Sequence, residues 1–160
     1  MEVSSNKELF LTLGARIEGI SYYDRIGAYL ICIENNKLAV VRDPKGYFLP
    51  GGGIDENESL EECVKRESLE ETGYSVCVDR HICSAEAYLL HPNVGYSHPI
   101  QHYYSGRLIE KVCEPTEDDH AFEWISVGDI ESKMYLEIQG RAVKYYIDNC
   151  VEKEQINLNL

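Results

Sequence analysis

Three glutamates near the middle of the chain, Glu67, Glu70 and Glu71, stand at i, i+3 and i+4. At about 100° per residue that spacing gathers Glu67 and Glu71 on one side of a helix, with Glu70 at its edge. Leu60, Cys63 and Val64 fall on the same stripe, so the carboxylates continue an apolar face. They also crowd the C-terminal turns, where the helix dipole is negative. Burying unpaired carboxylates costs roughly several kcal/mol each, so something positive belongs beside them. Arg66 can neutralise one of the three. A hard divalent cation can hold several, because Mg2+ and Mn2+ take oxygen ligands. The residues thus read either as a solvated acidic face with Arg66 as counter-ion or as the carboxylate set of a metal site.

The helix that must position them is marked at both ends. Ser59 and Glu62 form an S-x-x-E capping box, and Gly73 stands where a left-handed glycine ends a helix. Ahead of it, Pro50 ends any strand, and Gly51, Gly52 and Gly53 read as a loop whose bare backbone can approach a ligand closely. Residues 26–34 and 37–41 read as strands joined at Asn35-Asn36, a pair that tolerates a two-residue hairpin turn, and residues 42–46 as a second turn. Beyond the helix, residues 75–90 and 99–110 read as strands with 91–98 as the loop between them. Residues 121–127 form a further strand and 136–150 a closing helix, while 1–20 make an N-terminal strand region and 151–160 a polar tail that frays. No repeat or linker interrupts this order, so a single α+β domain over 1–160 is expected.

Composition narrows the partners. The 160 residues are 44% hydrophobic and 27% charged, which excludes a disordered or fibrous chain. The net charge of −13 repels a phosphate backbone, so binding to long nucleic acid is not expected. Six cysteines, Cys32, Cys63, Cys77, Cys83, Cys113 and Cys150, show neither a CxxC pair nor metal-ligand spacing. With no apolar run for a signal peptide or a membrane span, they read as reduced thiols of a cytoplasmic protein with no membrane partner.

Residues 52–74, GGIDENESLEECVKRESLEETGY, resemble the Nudix box, G-x5-E-x7-R-E-U-x-E-E-x-G-U. Gly52, Glu58, Arg66, Glu67, Glu70, Glu71 and Gly73 stand at the required offsets. The preceding FLPGG and the later EWISV, with Trp124, are also similar to Nudix hydrolases. The chain departs from the pattern at two aliphatic positions, which hold Ser68 and Tyr74. Neither removes a charge, though Ser68 bears on how the helix packs.

The resemblance implies a Nudix-type αβα sandwich with a central mixed β-sheet, and metal-dependent hydrolysis of a nucleoside diphosphate linked to another moiety. The candidate substrates are (d)NTPs, oxidised (d)NTPs, ADP-ribose and nucleotide sugars. It implies Glu67, Glu70 and Glu71 as ligands of Mg2+ or Mn2+, with the Gly52 carbonyl as a further ligand. Glu58 and Arg66 would pair with each other or with Glu67 to hold the ligands in place. A carboxylate must accept the proton of the attacking water; the resemblance implies a base from the box, where Glu67 and Glu71 stand, or from a later loop, where Glu117 or Asp118, just before the Trp124 strand, is favoured. Arg25 and Arg42 are candidate phosphate contacts. Residues 91–98, including Tyr96, are a candidate lid or base-stacking wall, with Tyr47 or Tyr103 as alternatives; His102 reads as a packed or hydrogen-bonded residue. A homodimer is also in keeping with the resemblance. Two rivals share the fold: an enzyme similar to isopentenyl diphosphate isomerase, whose catalytic cysteine has no counterpart we can place, and a non-catalytic ligand-sensing module.

Overall fold

A computed structural model describes residues 9–93, 95–116 and 118–151 of the chain. Among the described residues, ten strands form two sheets. The larger takes β1 (Leu9–Leu13), β7 (Tyr74–Ala87), β9 (Gly95–Lys111), β2 (Tyr23–Ile31) and β6 (Gly51–Gly53) in that spatial order, with β8 (Leu89–His91) also on β9. The smaller takes β10 (Ala121–Ser126), β4 (Lys37–Asp43) and β3 (Ile33–Glu34), with β5 (Gly46–Phe48) on β4. The larger sheet is mixed: β1/β7 and β2/β9 run parallel, β7/β9 and β2/β6 antiparallel.

Helices cover both faces, and strand alternation sorts the core between them. Ala28 and Leu30 of β2 pack with Cys63 and Val64 of α1 (Leu60–Thr72), together with Val76 and Tyr104. Tyr29 and Ile31, pointing the other way, pack with Tyr103, Cys83 and Ala85 against Ile138, Ala142 and Val143 of α3 (Glu137–Asn149). A 3-10 turn, Val127–Asp129, and a single helical turn, α2 (Ile130–Lys133), lead into α3. The architecture is the expected αβα sandwich around a mixed sheet.

Three expectations change. The run 26–34 is not one strand: it breaks at Cys32, so β2 serves the larger sheet and β3 the smaller. Asn35 and Asn36, both at positive φ (50° and 65°), then turn the chain tightly from β3 into β4. The glycines read as a loop form a strand, with Gly27, Ala28 and Tyr29 opposite Gly53, Gly52 and Gly51. The lid expected at 91–98 is largely absorbed into β8 and β9, which pair from Leu89↔Ser97 to His91↔Gly95. Pro92, Asn93 and Gly95, residue types depleted in strands, interrupt the alternation there.

β1 lies within the expected N-terminal strand region; residues 1–8 and all of the expected tail but Val151 lie outside the described residues. All six cysteines are free, and Cys32, Cys63 and Cys83 are buried. Among the described residues no helix is long and apolar enough to cross a membrane.

Candidate active site

The carboxylate helix forms where its caps demand. The Ser59 hydroxyl accepts from the Glu62 amide at 3.1 Å. Gly73, at φ 79°, donates its N–H to the Leu69 carbonyl at 2.9 Å. A side chain at Gly73 would collide with the Cys113 carbonyl, so glycine is required there for space as well as for conformation. Cys63, Val64, Ser68 and Thr72 anchor the helix in the core. That rotation leaves Glu71 buried, Glu67 partly buried and Glu70 half-exposed.

The glycine strand β6 faces these carboxylates. It is the edge of the larger sheet, so alternate backbone groups point into the ladder and out from it. Leu30 donates to the Pro50 carbonyl and Ile54 to the Ile26 carbonyl, and this phase turns Gly52 toward Ala28, inside the ladder. Gly51 and Gly53 therefore present their polar groups outward. The Gly51 N–H donates to Glu71 Oε1 at 2.9 Å, and the Gly53 carbonyl accepts from Arg66 Nη2 at 3.1 Å. The amide on the glutamate side is thus that of Gly51, while Gly52 stands opposite Ala28 in the ladder. Gly52 has another duty. A Cβ there would lie 2.6 Å from the Glu67 carboxyl carbon, so the bare backbone makes the bed for that side chain.

Arg66 organises the rest. Its Nε meets Glu58 Oε2 at 2.7 Å and its Nη2 meets Glu58 Oε1 at 2.9 Å. Its Nη1 reaches Glu67 Oε1 at 2.8 Å and Glu70 Oε2 at 3.5 Å. The two pairings open from sequence are both made. The guanidinium holds the Glu58 carboxyl down to about 2, and the surrounding carboxylates push Arg66 further up. Cys63, behind the strand, lies 3.4 Å from the Gly52 carbonyl; burial pushes its thiol up to about 11, so it stays protonated and can donate.

Other expected residues are spread around this core. Arg25 stands beside Gly53, its Nε 3.4 Å from where a Cβ would be. Arg42 pairs with Glu123 at 2.7 Å and lines a cavity of about 620 Å³ with Lys45, Asp118, Asp119 and His120. Glu117 lies outside the described residues. Thr116 tethers this loop to α1, its amide donating to the Glu70 carbonyl at 2.9 Å.

Tyr47 packs against the α3-side core, and Tyr103 is fully buried with its hydroxyl donating to Gln101 at 2.8 Å. Tyr96 meets Tyr22 edge-on. It lies six positions before His102, the residue level with Ala28 and so with Gly52. At about 3.3 Å per residue that is about 20 Å along the strand from the level of Gly52. His102 is hydrogen-bonded as expected, its Nδ1 2.7 Å from the Ser84 hydroxyl.

Two site neighbours escaped sequence reasoning. His120 Nδ1 comes within 3.9 Å of Glu71 Oε2, and nothing in an acidic turn announced that approach. Tyr29 walls Gly51, where a Cβ would strike its ring. Its place on the strand face opposite Ala28 was legible in principle from alternation.

The donor chemistry fits a hard divalent ion: carboxylates on one helix, a backbone carbonyl, and a glycine bed that any side chain would fill. Among the described residues, no three His, Cys, Asp or Glu side chains already converge on one point. Arg66 and the Gly51 amide hold Glu67 and Glu71 in place instead.

The NUDIX domain profile matches residues 24–146. A putative 8-oxo-dGTP diphosphatase of Bacillus subtilis (strain 168) is 41% identical over 59 residues, 35% of this chain and 40% of that protein. The match therefore spans well under half of that curated relative. Among solved structures, a Nudix hydrolase from Nitrosomonas europaea superposes with a TM-score of 0.67 at 18% identity, covering 78% of this chain and 89% of that one. A MutT protein from Methanosarcina mazei Go1 gives 0.65 at 21%, covering 82% and 99%. An ADP-ribose pyrophosphatase from Streptococcus suis 89-1591 gives 0.59 at 19%, covering 81% and 93%. At these identities the structures speak for the fold. With the profile covering most of the chain and every charged position of the box in place around one arginine, the chain belongs to the Nudix family.

Proposed function

We propose that the chain is a metal-dependent pyrophosphohydrolase that cleaves a nucleoside diphosphate linked to another moiety. The observation that carries this is the Glu58–Arg66–Glu67 fork set against a glycine strand whose Gly51 amide holds Glu71. Mg2+ or Mn2+ would be held by Glu67, Glu70 and Glu71 with the Gly51 carbonyl. When bound, such an ion lowers the pKa of a water and offsets the charge of a diphosphate.

The chain's own residues do the rest. Arg66 fixes the direction of the Glu67 carboxylate, and the Gly51 amide leaves Glu71 Oε2 turned toward His120. Arg25 beside β6, and Arg42 and Lys45 in the cavity, supply positive charge for phosphate oxygens. Asp118 in the same lining, or Glu117, takes the proton of the attacking water. The substrate is a small nucleotide; the relatives named for 8-oxo-dGTP and ADP-ribose keep both oxidised (d)NTPs and ADP-ribose among the candidates, with (d)NTPs and nucleotide sugars. Six free thiols and a charge of −13 support a reducing, cytoplasmic setting without long nucleic acid.

The test is product identification over that panel with Mg2+, Mn2+ or chelator, beside Glu71→Gln. A metal-dependent product lost in the variant supports the reading. Metal binding with no turnover on any substrate would favour a ligand-sensing module.

A further inference from the structure

We propose that Cys63 is a positioning residue whose thiol pins the glycine strand β6 to helix α1 and so sets the geometry of the carboxylate site. The inference rests on the metal site proposed above. β6 consists of three glycines at a sheet edge, with no side chain of its own to fix its twist or its height over the helix. Hydrogen bonds from three α1 side chains reach it: the Gly51 amide donates to Glu71, the Gly53 carbonyl accepts from Arg66, and the Cys63 thiol lies against the Gly52 and Gly53 carbonyls.

The first two use groups assigned to the chemistry, which must be free to answer a metal and a substrate. The third does not. Cys63 is wholly inaccessible to solvent, so it cannot serve as an exposed nucleophile or redox sensor. Its sulfur lies 3.4 Å from the Gly52 carbonyl and 3.6 Å from that of Gly53, so one S–H spans two consecutive peptide groups. The Gly52 carbonyl has two lone pairs, one for the ladder and one for the thiol. Arg66 Nη2, which holds the Gly53 carbonyl, is 4.0 Å from the same sulfur, so the thiol and the arginine grip adjacent links of the strand. With the thiol gone, β6 loses the contact to the helix that uses no group of the proposed chemistry, and the Gly51 carbonyl loses its fixed direction.

The experiment compares Cys63→Ala, Cys63→Ser and Glu71→Gln with the wild type, measuring Mn2+ affinity by electron paramagnetic resonance and the melting temperature of the metal-free protein. Serine keeps a donor; alanine does not. The expected result is a roughly tenfold loss of Mn2+ affinity in Cys63→Ala, at the low end of what outer-sphere changes cost, since Cys63 grips the strand one residue from the Gly51 carbonyl. Cys63→Ser restores the affinity to within about twofold, as donation by a hydroxyl allows. Wild-type affinity in a folded Cys63→Ala, or equal losses in both cysteine variants, overturns the role and reduces Cys63 to packing. Glu71→Gln separates the two layers. Its unchanged affinity overturns the metal site and this inference with it, whereas a loss there beside none in Cys63→Ala overturns the Cys63 role alone.

Discussion

Glu58 and Arg66, eight residues apart on the chain, meet in a two-point pair at 2.7 and 2.9 Å, and the same guanidinium reaches Glu67 at 2.8 Å. One planar donor therefore fixes the loop before the helix and a carboxylate on it. The fork geometry of arginine is what allows this; a lysine ammonium has no second edge to offer. Arg66→Lys is expected to keep the fold but lower kcat by roughly tenfold or more, as steady-state kinetics on the identified substrate would show.

Acid should expose the same pair. The Glu58 carboxyl sits at about 2 in the folded chain against its ordinary 4.5, so the folded state binds fewer protons between those values than the unfolded one. Stability from this pair is fully present above about pH 4.5 and falls away as pH drops toward about 2. Glu58→Gln should be less stable than wild type at neutral pH, and the gap should close on acidification. Denaturant melts at a series of pH values would show the convergence; parallel curves would remove the pairing as its cause.

Glu71→Gln retains an oxygen that can accept from the Gly51 amide, so the variant should fold. Loss of the charge should cut metal-dependent kcat/KM by about 100-fold or more. Near-normal turnover with an intact melting temperature would sink the assignment of Glu71 to the site.

Ser68 occupies a buried position of the helix, and its hydroxyl has no hydrogen-bond partner among the described residues. An orphaned buried hydroxyl is a net cost, and alanine is the better helix former. Ser68→Ala should raise stability by about 1 kcal/mol and leave activity unchanged. A fall in melting temperature would mean that the hydroxyl is satisfied in solution by bound water.

Arg42 lies on the cavity lining, 2.7 Å from Glu123, outside the helix core. Arg42→Ala should raise KM by roughly tenfold, the worth of one charge-assisted bond to phosphate, with little change in kcat or melting temperature. A change in kcat alone would place Arg42 in the chemistry rather than in binding.

Much of this protein is legible in its residues before any fold is known. The caps at Ser59 and Gly73, the stripe of Glu67 and Glu71, and the Asn35-Asn36 turn are local: their physics closes within one helical turn or one hairpin. The pairing of Arg66 with Glu58 or Glu67 came instead from the resemblance to the Nudix box, and the structure makes both. What tertiary structure decided was everything that depends on a partner distant in sequence. Pairing with β2 turned a glycine run into an edge strand, and the phase of that pairing chose Gly51 over Gly52 to face the glutamates. Chain return after Thr116 brought His120 to Glu71, across a separation no periodicity spans. Strand alternation put Tyr29 against Gly51. Local sequence determines which groups are present and how a helix displays them; only the packing of distant strands determines which face they meet, since register and hand of approach are properties of pairs of elements rather than of either one.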